Sequence, residues 1–155
     1  MGRKRHIANK SLLNLMKLNY LPNLTIHIDM LPPNNDLDDR KKIWDFMQNF
    51  WMDTDPTILL PKVIEVCAKS KYSIDELEAI YWNEVRPAVS FNLLLFPAPE
   101  WAGFEIEWLS KRIIQKNRFG KRLPIKLIHA YSNFWWKRLQ NGIKNARELG
   151  YGPIQ

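Results

Sequence analysis

YSIDELEAIYWNEVRPAVSFNLLLFPAPEWAGFEIEWLSKRIIQKN, residues 72–117, is the stretch whose reading decides the fold. It opens on Ser73-Ile-Asp-Glu76, an S-x-x-E capping box. In that device the serine hydroxyl accepts from the backbone N–H of the glutamate, and the glutamate carboxylate reaches back to the N–H of the serine. Tyr72 and Leu77 occupy the two staple positions around it. Leu77, Ile80, Tyr81 and Val85 then recur at helical spacing and mark one apolar face. Asp75, Glu76 and Glu78 crowd the first turns, where the helix dipole favours negative charge. Pro87 is expected to end or kink this helix, because proline supplies no N–H and disfavours the helical state of Arg86.

Beyond Pro87, Ala88–Phe96 is apolar except at Ser90 and Asn92. It reads as a buried helical segment or a buried strand, and its helical surroundings favour an irregular helix. Pro97-Ala-Pro99 turns the chain, and Glu100-Trp-Ala-Gly-Phe104 leads into a helix over about 105–116, with Trp108, Leu109 and Ile113 on one side. After the basic loop Asn117–Arg122, Pro124 opens a last helix over about 125–149. Its stripe is Ile128, Tyr131, Trp135, Leu139, Ile143 and Ala146, and Gly150 suits the position just past its end. Gly142 inside it lowers its helix propensity slightly.

On the N-terminal side, Asp36 is placed to cap a helix over about 37–51, whose apolar stripe is Ile43, Trp44, Met47, Phe50 and Trp51. Met52–Pro56 breaks it, and Pro61 is expected in the first turn of a helix to about Ser70, facing inward with Val63, Ile64 and Cys67. Residues 1–35 form an N-terminal arm in this reading. Ser11–Leu18 could make a short helix, and Thr25–Met30 alternates like a strand. Such a strand either lies along the domain or pairs with another chain. A natural start at Met30 is an alternative. The expected architecture is a single all-α domain over 36–155, a bundle of five to six helices with a long basic C-terminal helix.

Composition narrows the function classes. The chain has 155 residues, 46% of them apolar and seven of them tryptophan, enough for a real core. Its single cysteine, Cys67, excludes an intramolecular disulfide and suggests a buried thiol in a reducing compartment. No stretch approaches the roughly 20 apolar residues of a membrane helix. A cytoplasmic protein without membrane contact is the expectation.

Charge is segregated along the chain. Residues 1–35 carry five basic and one acidic side chain, residues 36–110 seven and fourteen, and residues 111–155 eleven and one. The segment charges +4, −7 and +10 sum to the net +7. A polarised surface steers charged partners.

The catalytic inventory is thin. His6 lies in a basic tail, His27 in an H-x-D that lacks further metal ligands at a useful spacing, and His129 beside the Ile128 stripe. No metalloprotease, nucleophile-elbow, CxxC or P-loop motif is present. Asp53, Asp55, Glu84 and Glu100 could converge as paired carboxylates, but Asp53, Thr54 and Asp55 read more simply as turn and cap groups. Glu84 and Glu100 read as acceptors for loop backbone. Neither a cofactor, a metal nor a small-molecule substrate is indicated.

The C-terminal third carries the partner-binding candidates Arg118, Lys121, Arg122, Lys126, Trp136, Lys137, Arg138, Lys144 and Arg147. Arginine and tryptophan are frequent interface anchors, so these residues suit an acidic protein surface. Together with Phe119 and Phe134 they also suit phosphates and bases. The plainest reading is a solvated, solubilising helix face. Trp135 and Trp136 are adjacent, so Trp136 is expected to be exposed or covered by a partner.

Five motifs also carry a resemblance: Phe50-Trp-Met-Asp-Thr54, Tyr72–Glu78, Asn83-Glu-Val-Arg-Pro87, Glu100–Phe104 and Glu107-Trp-Leu109. In this order, and with Asn92-Leu93 between them, they resemble an uncharacterised family of small all-helical bacterial proteins over about 43–114. Small helical bacterial proteins of this type include immunity proteins of interbacterial toxin systems. The resemblance therefore implies a non-catalytic protein that binds and neutralises a cognate toxin. That step is a class-level analogy. The alternative is a nucleic-acid-binding accessory protein using the basic last helix.

Overall fold

The computed structural model describes residues 30–94, 103–119 and 126–153, the side chains of 116–119 excepted. The N-terminal arm up to residue 29, with its short helix and strand, lies outside the described residues, as does Glu100. The described residues form an all-α bundle without strands. Its helices are α1 (Leu37–Met47), α2 (Pro56–Lys69), α3 (Ile74–Ala79), α4 (Arg86–Val89), α5 (Ile106–Phe119) and α6 (Lys126–Glu148). Tight 3-10 turns cover Pro33–Asn35, Gln48–Trp51 and Ser90–Leu94.

The capping box forms. Ser73 Oγ accepts from Glu76 N–H at 3.2 Å, and Glu76 Oε2 accepts from Ser73 N–H at 2.7 Å. Tyr72 and Leu77 both go into the core. Pro87 does not end the helix. The chain widens into a π turn over Ile80–Val85, where Arg86 N–H donates to Tyr81 O five residues back, and then continues as α4. A proline ring in a regular helix collides with the carbonyl four residues before it. The wider π turn just ahead of Pro87 changes the carbonyl positions there. Ala88–Leu94 is helical, first α and then 3-10, as the irregular-helix reading expected.

Helix α2 starts five residues earlier than its proline suggests. Asp55 caps it by accepting from Thr57 N–H at 2.9 Å, and Pro56 takes the first helical position. Pro61 is inside the helix and exposed, as is Thr57, whose carbonyl loses its donor to that proline. Water can complete that carbonyl, which makes the interior proline tolerable at this surface.

Helices α2 and α6 run in the same direction: Ile64 lies against Gly142, and Ala68 is reached by Arg147. Gly142 permits the close approach, because a Cβ there would lie 2.7 Å from Ile64 Cγ1 and closer still to Cδ1. Helix α6 ends in a Schellman motif. Gly150 has φ +90°, its N–H donates to Arg147 O, and Tyr151 N–H donates to Ala146 O.

The core centres on Tyr81, whose ring lies 4.8 Å from Trp51, 5.2 Å from Trp136 and 6.0 Å from Phe50. Its hydroxyl donates to Ser132 O at 2.8 Å, and Trp51 Nε1 donates to Ser132 Oγ at 3.2 Å. Trp136 is therefore a correction to the expectation of exposure: it is 3% exposed, and Trp135 is 6% exposed. Adjacent helix positions are about 100° apart. The two rings enter different parts of one core, Trp135 stacking on Phe50 and Trp136 tilting against Tyr81. The aromatic that α6 leaves outside is Phe134, 51% exposed.

Candidate functional site

The face of α6 opposite Ile128, Trp135, Leu139 and Ile143 is the candidate site. Lys126, Lys137 and Lys144 are spaced by three and two helical turns, so they share one strip. At a rise of about 1.5 Å per residue the strip is about 27 Å long. All three lysines are exposed. Phe134 and Leu127 flank the strip, and Arg138 places its guanidinium 5.2 Å from the Phe134 ring centroid and 5.9 Å from that of Trp135.

The strip differs from the segment 36–110 in how its lysines are satisfied. Each of the five lysines between residues 36 and 110 is in an ion pair: Lys41 with Glu107, Lys42 with Asp39, Lys62 and Lys69 with Glu65, and Lys71 with Asp36 and Asp39. Lys126, Lys137 and Lys144 form no ion pair among the described residues.

Of the other predicted partner-binding residues, Arg147 does a different job. It donates to the carbonyls of Cys67, Ala68, Ser70 and Tyr72, the last at 2.7 Å. These include the orphan carbonyls at the C-terminus of α2, where the helix dipole also favours a cation. Arg147 is thus a clamp of the α2–α3 corner, half-buried and away from the lysine strip. Lys121 and Arg122 lie outside the described residues, as does the side chain of Arg118.

Of the carboxylates considered for chemistry, Glu84 is buried while Asp53 and Asp55 are exposed, and Glu100 lies outside the described residues. Glu84 is 5% exposed and accepts from the Arg40 guanidinium and from Trp44 Nε1 at 2.8 Å. Its partners are side chains of α1, which corrects the expectation of loop backbone. Asp53 and Thr54 are exposed in the bend before α2, and it is Asp55 that caps. Among the described residues no group of three or more His, Cys, Asp or Glu could hold a metal ion. His129 is exposed with its ring 5.1 Å from that of Trp82. Burial pushes the Cys67 thiol up to about 12, which makes it a poor nucleophile at neutral pH.

Sequence reasoning missed Arg40, a fully buried arginine. It joins Glu84 and the Leu31 carbonyl, and its Nε lies 3.7 Å from Asp36 Oδ2. Asp36, expected as a helix cap, instead accepts from Tyr72 Oη and Lys71 Nζ, each at 2.6 Å. Burial opposes its charge, but those bonds and the Lys71 and Arg40 charges hold its carboxyl below the usual range. The only sequence signal was Arg40 itself, four residues past Asp36 and three before the Ile43-Trp44 stripe.

The model of one family, described as Domain of unknown function (DUF7079), matches residues 38–147. The chain belongs to this family. The matched segment runs from the first turn of α1 to the Arg147 clamp, so it takes in Arg40, Tyr72, Glu84 and the lysine strip, with Asp36 just outside it. No curated protein and no solved structure matches the chain significantly. No described helix is long and apolar enough to cross a membrane.

Proposed function

We propose that the protein is a non-catalytic, immunity-type binding protein that neutralises a cognate toxin by docking the basic face of α6 on an acidic surface of it. The observation that carries this reading is the strip of lysines at 126, 137 and 144, which form no ion pair among the described residues, whereas each lysine between residues 36 and 110 is neutralised by a carboxylate. Unpaired cations repel one another in the free protein and gain most from an acidic partner, which also accelerates encounter. Arg138 and the exposed Phe134 supply the arginine and aromatic contacts that dominate interface energetics.

The test is co-purification with the product of the adjacent gene, in wild type and in a Lys137→Glu/Arg138→Glu variant. The reading expects one stoichiometric partner and its loss on reversal. Undiminished capture by the variant overturns this interface. The same strip also suits a phosphate backbone, so the second reading is nucleic-acid binding. It expects affinity for DNA or RNA oligonucleotides that falls steeply with salt. An absence of binding at low salt removes it.

A further inference from the structure

A second feature lies away from the lysine strip, in the cleft between α1 and α2. We propose that this cleft binds a small organic anion: an apolar ring or branched chain carrying one carboxylate or phosphate. The cleft encloses about 320 Å³, the small end of the range for ligand sites, about 300–1,000 Å³. Ile43, Val66 and Tyr72 line it with apolar surface, and the exposed residues Lys42, Lys69 and Lys71, with Asp39, line its rim. An apolar floor under a cationic rim selects a ligand with a hydrophobic body and an anionic head. It offers nothing to a metal ion, which needs converging oxygen or nitrogen ligands.

The wall formed by residues 70–72 is held from three directions. Arg147 binds the carbonyls of Ser70 and Tyr72, Asp36 accepts from the Tyr72 hydroxyl, and the Ser73 capping box fixes the start of α3. The cleft is therefore formed before any ligand arrives, which lowers the ordering cost of binding. The rim, in contrast, is adjustable. Lys42 is 70% and Lys69 47% exposed, and their pairs with Asp39 and Glu65 lie within single helix faces. Exposed pairs of that kind contribute little to stability. Their ammonium groups can turn to a ligand anion at little cost. Asp39, also at the rim, is bracketed by Lys42 and Lys71, which offset its repulsion.

The probe is 1-naphthyl phosphate, titrated into the full chain and followed by ¹⁵N amide shifts, with inorganic phosphate and 1-naphthol as controls. The expected result is saturable one-to-one binding, with shifts confined to Ile43, Val66 and residues 70–72. Each control, lacking either the body or the charge, binds at least ~10-fold more weakly, the equivalent of one lost charge-assisted contact. A Lys42→Glu/Lys69→Glu variant loses binding to a similar degree, and Lys137→Glu retains it. Shifts that map to α6, a titration that never saturates, or naphthol binding as well as its phosphate would each overturn the proposal. The mapping uses the wild-type protein, so it decides the matter even if the double variant folds poorly. None of these outcomes bears on the toxin-binding reading, which rests on α6.

Discussion

Gly142→Ala should destabilise the protein, although it replaces a helix-interior glycine with the best helix former. In an isolated helix this change gains about 0.5–1 kcal/mol. Here the new Cβ would sit 2.7 Å from Ile64 Cγ1 and closer to Cδ1, whereas carbon atoms pack at about 3.5–4.0 Å. The shortfall is about 1 Å or more. Ile64 is half-buried in the α2–α6 contact, so it must leave its rotamer or push the helices apart. Overpacking of this kind costs about 1–3 kcal/mol. The net expectation is a loss centred on about 1 kcal/mol, or about 2–5 °C in Tm for a chain of this length. The decisive assay is a denaturant-unfolding cycle of wild type, Gly142→Ala, Ile64→Ala and the double variant. Ile64→Ala removes the clashing atoms, so the double variant should be more stable than the sum of the singles predicts, by about 1–2 kcal/mol. A stabilising Gly142→Ala, or strict additivity, would refute the close parallel contact.

Arg147→Ala should cost about 2–3 kcal/mol by thermal or chemical unfolding, because carbonyls at the end of α2 lose a charged donor. Arg147→Lys should not restore it, since a single ammonium cannot span the carbonyls of Cys67, Ala68, Ser70 and Tyr72. Trp136→Ala should cost about 3–5 kcal/mol, while Phe134→Ala, at a half-exposed ring, should stay within about 0.5 kcal/mol; the reverse order would put Trp136 back on the surface. Glu65 is held at about 2, against 4.5 ordinarily, first by its hydrogen bonds from Lys69 and Lys62. A depressed carboxylate contributes stability that is present above its unfolded value and lost as pH falls through the folded one. Urea midpoints should therefore hold above pH 4.5 and decline toward pH 2. Glu65→Gln should flatten part of that decline.

What was legible in the sequence was local. The capping box at Ser73 and the Gly150 terminator depend on neighbours in the chain, and both form with the expected partners. The helical class followed from the apolar stripes, which the core confirms at Ile43, Trp44, Met47, Phe50 and Trp51. The misreadings share one cause, which is tertiary context. Pro87 looked like a terminator because a regular helix cannot hold it, and the π turn is a solution invisible to propensity. Pro61 displaced the expected start of α2 because prolines favour first turns, yet the cap at Asp55 with Pro56 behind it was the stronger signal. Trp136 was assigned to the surface on the assumption that a helix buries one narrow stripe. Helix α6 lies between the Phe50 and Tyr81 sides of the core and buries two. Arg147 and Arg40 were misread or missed because their partners lie 75 and 44 residues away in the chain.

The same distinction separates charges that hold the fold from charges that pair with nothing among the described residues. Lys71 pairs with Asp36 and Asp39, and Asp36 also accepts from Tyr72, whose ring lines the α1–α2 cleft. Lys71→Glu would place a third carboxylate beside two others, one of them nearly buried. It should cost about 1 kcal/mol or more in urea unfolding at low salt. The three lysines of α6 break no ion pair among the described residues when removed. Lys126→Glu/Lys137→Glu/Lys144→Glu should therefore unfold within about 0.5 kcal/mol of wild type, with any shift toward greater stability as mutual repulsion is relieved. A residue set that is free for stability yet keeps one sign of charge along five turns is what a docking face requires. If the triple variant proves as costly as Lys71→Glu, the strip is part of the scaffold, and the proposed docking face is refuted.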